Sequence, residues 1–230
     1  FLSIKDRNMA FLVSVMIAVL SALVLDSMIL YFKTKVFEIT ESALITGLIA
    51  GFVFSSDEAW WRIAAVSTLA ILSKYLLRFR NKHIFNPAAF GIFLTLILFH
   101  ASTKWAGAYL WYLLAPFGLY FVFKIKKMEI LISYAAVSLL LFGIQALKHH
   151  VALWHIFGYL NYFYIFVMVI EPKTTPVKPF GKYFFGSVLA ALIFMLTESG
   201  VRFDAELFSL LVMNITVPLL NKIPYKKRGA

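Results

Sequence analysis

Apolar residues run through the chain in long stretches broken by short polar ones. Nine such segments can be read, at 9–32, 42–54, 59–77, 84–100, 105–123, 128–147, 151–170, 183–197 and 205–221. A helix that crosses a bilayer needs about 20 mostly apolar residues, and most of the nine are of that order. Segment 42–54, SALITGLIAGFVF, rises only ~20 Å at the pitch of an α-helix. Segment 183–197 is also short. The spacing predicts an all-α, polytopic membrane bundle of about nine spanning or re-entrant helices. Most segments carry polar residues that lipid does not accept alone, so the helices need partners.

Composition strengthens this reading. Hydrophobic residues make up 62% and charged residues 14% of 230, against roughly 45–50% and about 25% in soluble domains. Mean hydropathy is +0.85. So few charges cannot cover a globule in water. The first apolar run is too long for a signal peptide and more runs follow it. The absence of cysteine excludes disulfides, thiolate metal sites, thiolate-held iron–sulfur clusters and cysteine nucleophiles in these residues. No metal site is expected, and five histidines, mostly at segment ends, form no haem-ligand pattern.

The net charge of +11 reads first as positive charge in cytoplasmic loops, not as a nucleic-acid surface. The expected partner is the lipid bilayer of the cell (inner or plasma) membrane. If all nine segments cross and residue 1 lies outside, the inner loops hold Lys33 and Lys35; Lys74, Arg78, Arg80 and Lys82; Lys124, Lys126 and Lys127; Lys173, Lys178 and Lys182; and Lys222, Lys226, Lys227 and Arg228. The outer side keeps Lys5, Arg7, Arg62, Lys104, Lys148 and Arg202, with the acidic groups Asp57–Glu58 and Glu198/Asp204/Glu206. The C-terminus is then cytoplasmic. An outside start at Phe1 points to one further helix upstream, and a parent topology of ten spans.

Two stretches repeat one pattern. Each has a segment (42–54 or 151–170), a polar loop (55–58 or 171–182), a helix (59–77 or 183–197), and then Phe, Asn or Asp, three residues and Phe. The endings are Phe85-Asn86-Pro87-Ala88-Ala89-Phe90 and Phe203-Asp204-Ala205-Glu206-Leu207-Phe208. Asn and Asp are good N-caps, and Pro87 suits a first helical turn. On the charge-based topology, Asn86 lies inside and Asp204 outside. The chain is therefore expected to be a single transmembrane domain, 1–230, of inverted halves 9–123 and 128–222. Such repeats place binding sites at their interface.

Several residues are candidates for chemistry. Glu171, before two prolines, can orient a ligand or carry a proton, or it is a solvated helix end. Asn86 and Pro87 open a helix whose free N–H groups can meet an anion or a flavin edge, or they are an ordinary cap. Thr46, Gly47 and Gly51 lie on the short segment, and the GxxxG spacing favours close helix packing over binding. Asp26 is an intramembrane carboxylate, a functional candidate or a hydrogen-bonded helix residue. Asn214 interrupts the last helix and reads best as a bond across helices. No Walker loop, GxGxxG, HExxH or GxSxG is present.

SALITGLIAG (42–51), FNPAAFG (85–91), EPKTTPVKPFGKYFFG (171–186) and LLVMNITVPLL (210–220) occur in one order. Together they resemble the family of the sodium-translocating NADH:quinone reductase B subunit and the Rnf electron-transport complex D subunit. The resemblance spans about residues 15–222. It implies ten helices in two inverted repeats, similar to urea transporters, with segment 9–32 matching the second helix, and work with flavins. Family members carry a Ser-Gly-Ala-Thr signature whose threonine holds FMN through a phosphoester. Here the matching loop shrinks to His100–Trp105, with only Ala101-Ser102-Thr103, so no covalent FMN is expected. The resemblance implies a non-covalent flavin, riboflavin or FMN, with Thr46, Gly47, Asn86, Pro87, Glu171, Thr174, Thr175 and Asn214 as cofactor-binding candidates; Pro172 also matches. Glu171 stands where the family usually has Asp. The expected function is a membrane subunit of a flavin-dependent electron-transport system, working with other membrane or flavoprotein subunits of a redox complex. A transporter or channel for a small solute such as a flavin precursor is the alternative, and a cofactor-free scaffold subunit the third.

Overall fold

The computed structural model describes residues 9–80 and 82–224. The expected basic positions Lys5, Arg7, Lys226, Lys227 and Arg228 lie outside the described residues. The chain forms an all-α membrane bundle. Two compact units divide it, one up to Tyr109 and one from Leu110.

In the first unit, α1 (Met9–Thr34) is followed by α2 (Glu41–Val53), α3 (Trp60–Leu76), a two-strand hairpin (β1, Arg78–Phe79; β2, Lys82–His83) and α4 (Pro87–Phe99). The hairpin is antiparallel, with Arg78 opposite His83, where hydropathy indicates only a loop. The buried face of α1 is Ser14, Ala18, Ala22, Asp26 and Ser27, small residues at helical spacing. Gly47 and Gly51 of α2 lie on it. A Cβ at Gly47 would come 2.7 Å from the Val19 Cα, and one at Gly51 2.8 Å from the Val15 Cα. The GxxxG spacing is thus a helix-packing surface, and only glycine fits at this separation.

The second unit holds α5 (Trp111–Lys124), α6 (Met128–Lys148), a 3₁₀ turn (Leu153–Tyr159), a π-helical segment (Tyr164–Val169), α7 (Pro179–Glu198) and α8 (Ala205–Leu220). The apolar stretch 151–170 is therefore not one helix. The Asn161 side chain accepts from the Tyr164 N–H at 3.0 Å and starts a new turn there, which breaks the run. α7 begins earlier than hydropathy indicates, at Pro179, because proline suits the first turn. α5 falls in the second unit.

Helices α1, α6, α7 and the stretch Ala106–Lys124 are long and apolar enough to cross a membrane. α2, α4 and α8 are shorter apolar helices. At 13 residues, α2 and α4 reach only ~20 Å.

The repeated motif has one local structure in both units. The Asn86 Oδ1 accepts from the Ala89 N–H at 3.0 Å, and the Asp204 Oδ1 from the Leu207 N–H at 3.0 Å. The flanking rings meet, Phe85 with Phe90 at 5.4 Å and Phe203 with Phe208 at 4.9 Å between centroids. Each is an N-cap with a hydrophobic staple, which fixes the angle at which the chain enters the helix. Each unit also carries a glycine pressed on a neighbouring backbone. A Cβ on Gly91 would meet the Val66 carbonyl of α3 at 2.3 Å, and one on Gly186 the Ile130 carbonyl of α6 at 2.4 Å.

Gly91→Val is expected to lower stability by about 1–3 kcal/mol through overpacking. Gly143→Ala, whose Cβ would meet only Ile156 Cδ1 at 3.6 Å, should be neutral or stabilising by up to about 1 kcal/mol. Thermal unfolding in detergent distinguishes the two.

Candidate functional site

The second unit gathers four of the candidates. After the π-helical segment the chain turns through Glu171-Pro172-Lys173-Thr174-Thr175-Pro176, where two prolines bar a helix. The turn closes on itself. The Thr174 hydroxyl donates to Glu171 Oε2 at 3.0 Å, and the Thr175 hydroxyl to the Glu171 carbonyl at 2.7 Å. Both threonines are buried. Asn214, fully buried on α8, donates from Nδ2 to the Thr174 carbonyl at 3.0 Å. It bonds across elements, as expected from sequence, and its partner is this turn.

Two buried lysines that sequence reasoning misses lie in this unit, one of them bonded to the turn. Lys127 is buried, and its Nζ donates to the Pro176 carbonyl at 2.7 Å and the Thr175 carbonyl at 3.4 Å. Lys182 donates to the Lys126 carbonyl at 2.6 Å and to both Glu129 carboxylate oxygens at 3.1 Å. Charge counting alone places both in solvated loops. The available signal is Lys127 opening a helix and Lys182 lying one turn inside another. Further along, the Val177 N–H donates to Asn221 Oδ1 at 2.9 Å. An irregular turn in a low-dielectric bundle holds together this way because its carbonyls must find donors.

The first unit holds the other four. Thr46 is buried and donates to the Ser42 carbonyl at 2.8 Å. Gly47 packs on α1. Asn86 is buried as the cap of α4, with Pro87 at the first position of that helix. Asp26 is fully buried and accepts from Thr40 Oγ1 at 2.5 Å, Lys74 Nζ at 2.9 Å and Tyr75 OH at 2.8 Å. These bonds tie the α1–α2 loop to the end of α3.

The short loop after α4 is also held. Thr103 bridges Phe54 in antiparallel fashion, and the Ser55 N–H donates to the Ser102 carbonyl at 3.1 Å. Glu58 Oε1 accepts from the Ser102 N–H at 2.8 Å and the Ser102 hydroxyl at 3.0 Å, while Oε2 pairs with Arg62 at 2.7 Å. Burial pushes the Glu58 carboxyl up, but the bonds from Arg62 and Ser102 outweigh it and hold the group below its usual range.

The model of the NQR2, RnfD, RnfE family matches residues 2–112 and 108–228. The chain belongs to this family. A protein of Actinobacillus succinogenes, named as the D subunit of an ion-translocating oxidoreductase complex, is 37% identical over 57 residues, 25% of this chain and 16% of that protein. Its namesake in Mannheimia succiniciproducens is 31% identical over 70 residues, 30% of this chain and 20% of that protein. The matched stretch is thus a fifth or less of the length of these curated relatives. Helix lengths and family together make this a membrane protein. For covalent FMN, the residues present do not fit the family's pattern. The Ser-Gly-Ala-Thr string is missing, both donors of Ser102 are taken by Glu58, and Thr103 lies in the bridge to Phe54.

Lys127→Met should cost about 1–3 kcal/mol by leaving two buried carbonyls without that donor, and protease cleavage near Lys173 should rise. The lowered Glu58 acid adds stability at neutral pH that is lost as pH falls below the ordinary carboxylate range. Between pH 7 and about 3, the unfolding temperature of the native chain should fall more than that of Glu58→Gln.

Proposed function

We propose that this protein is the membrane subunit of a flavin-dependent electron-transport complex, holding a flavin without a covalent bond. Family membership over nearly the whole chain carries the reading. The relatives' names, as subunits of an ion-translocating oxidoreductase complex, agree with it. Its partners are then the other membrane and flavoprotein subunits of that complex, and its C-terminus is cytoplasmic.

The chemistry of the second unit suits such a ligand. A flavin ring edge needs both donors and acceptors. Glu171, Thr174, Thr175 and Asn214 supply both kinds, on a turn fixed by Lys127. Ser209 of α8 is fully buried, and its hydroxyl has no hydrogen-bond partner among the described residues. Ser67 of α3 is in the same condition in the first unit. Buried polar groups usually find partners, so each hydroxyl is a candidate to meet a ligand's polar edge. Thr46, Gly47, Asn86 and Pro87 form a second candidate set within the same proposal. When bound, the flavin supplies the electron-carrying chemistry. The chain's own residues bind and orient it, exclude water from its ring, and set the polarity around it.

Detergent-purified protein should be yellow, with absorbance at ~450 nm, and release riboflavin or FMN identifiable by mass spectrometry. Ser209→Ala and Asn214→Ala should lower flavin content severalfold. Colourless protein that takes up neither compound would sink the reading. Riboflavin flux into proteoliposomes without a bound chromophore would support the transporter alternative instead.

A further inference from the structure

One end of the first unit combines exposed cations with exposed apolar side chains. On α1, Leu12, Met16, Leu20, Val24 and Met28 are exposed at four-residue spacing, a lipid-facing stripe. It runs into Tyr31 and Phe32, the aromatic level at which a helix leaves the acyl region. There the cations begin. Lys33 Nζ lies 4.5 Å from the Tyr75 ring centroid, and Lys35 Nζ 6.0 Å from that of Tyr31. The Asp26–Thr40–Lys74 bonds bring the α1–α2 loop and the end of α3 to this same end. That loop exposes Val36, Phe37 and Ile39. Beyond α3, the hairpin exposes Arg78, Phe79, Arg80 and Lys82, with the Arg80 guanidinium 5.6 Å over the Phe79 ring.

Asp26 neutralises Lys74. Arg78 has an interaction within the protein; the other exposed cations, Lys33, Lys35, Arg80 and Lys82, still outnumber Glu38 of the loop and Glu41 at the start of α2. We propose that this end binds the phosphate headgroup of an anionic phospholipid. Continuity with the lipid-facing stripe selects a lipid over an acidic protein, because the apolar side chains beside the cations then meet acyl chains while the ammonium and guanidinium groups reach the headgroup. Aromatic stacking holds three of the cations at that level.

The test is thermal unfolding of the full chain in detergent, with phosphatidylglycerol or phosphatidylcholine added, alongside native mass spectrometry of retained lipid. Phosphatidylglycerol should raise the unfolding temperature and be retained; phosphatidylcholine should do neither to the same extent. The combined variant Arg80→Gln/Lys82→Gln should lose at least half of the phosphatidylglycerol response. Lys148→Gln/Arg202→Gln, of equal charge change elsewhere, should keep it. If the hairpin variant does not fold, Lys33→Gln/Lys35→Gln should show the same loss. Equal response to both lipids, or a full response in both variant sets, overturns the proposal. Inorganic phosphate reproducing the whole shift would assign a free-anion site instead. Unchanged lipid response with loss of a co-purifying acidic protein would assign a protein partner.

Discussion

Lipid offers no hydrogen bonds, so each place where a helix stops must satisfy its own backbone. This chain stops its helices often, and at break after break a side chain meets the backbone. Ser27 donates to the Glu38 carbonyl between α1 and α2. Glu58 takes the Ser102 N–H beyond α4. Lys127 and Asn214 donate to the carbonyls of the 174–176 turn. Asn86 and Asp204 each take a first-turn amide, that of Ala89 in α4 and of Leu207 in α8. Without such groups, short elements like α2 and α4 would leave polar backbone facing an apolar bundle.

The two units obey the constraint with related parts. In both, a stapled Asn or Asp cap opens the last helix, and a glycine lets a helix sit directly on its neighbour's backbone. They differ in the segment that leads into the polar loop, 42–54 in one and 151–170 in the other. The first unit has a regular helix, α2, on a surface of small residues. The second has a 3₁₀ turn and a π-helical segment, and Gly118 of α5 makes room there for the Phe166 ring. π-helical turns recur at functional sites, and this one leads directly into Glu171.

The candidate cluster owes its geometry to buried lysines. Lys127 and Lys182 are withdrawn from water and committed to backbone carbonyls and Glu129. The turn is therefore held in one geometry by the chain's own groups. On the opposite pattern, the cations of the hairpin and of the α1–α2 loop remain exposed. Position alone separates lysines that build the bundle from those that face its surroundings.

The bundle is legible in the sequence because lipid imposes a long apolar run on every crossing, and composition alone shows that no soluble globule is possible. The caps at Asn86 and Asp204 are legible too, since capping is a local matter of a few residues. So is the packing use of Gly47 and Gly51, which follows from helical spacing. The break of the 151–170 run is hidden, because hydropathy cannot tell a 3₁₀ or π turn from an α-helix. Lys127 and Lys182 look solvated in the sequence, since each lysine's partner is a carbonyl dozens of residues away. The docking of Asn214 on the 171–176 turn, and the hydroxyl of Ser209 without a partner among the described residues, come only from tertiary structure: burial and hydrogen bonding depend on which distant segments meet, and no local pattern encodes that.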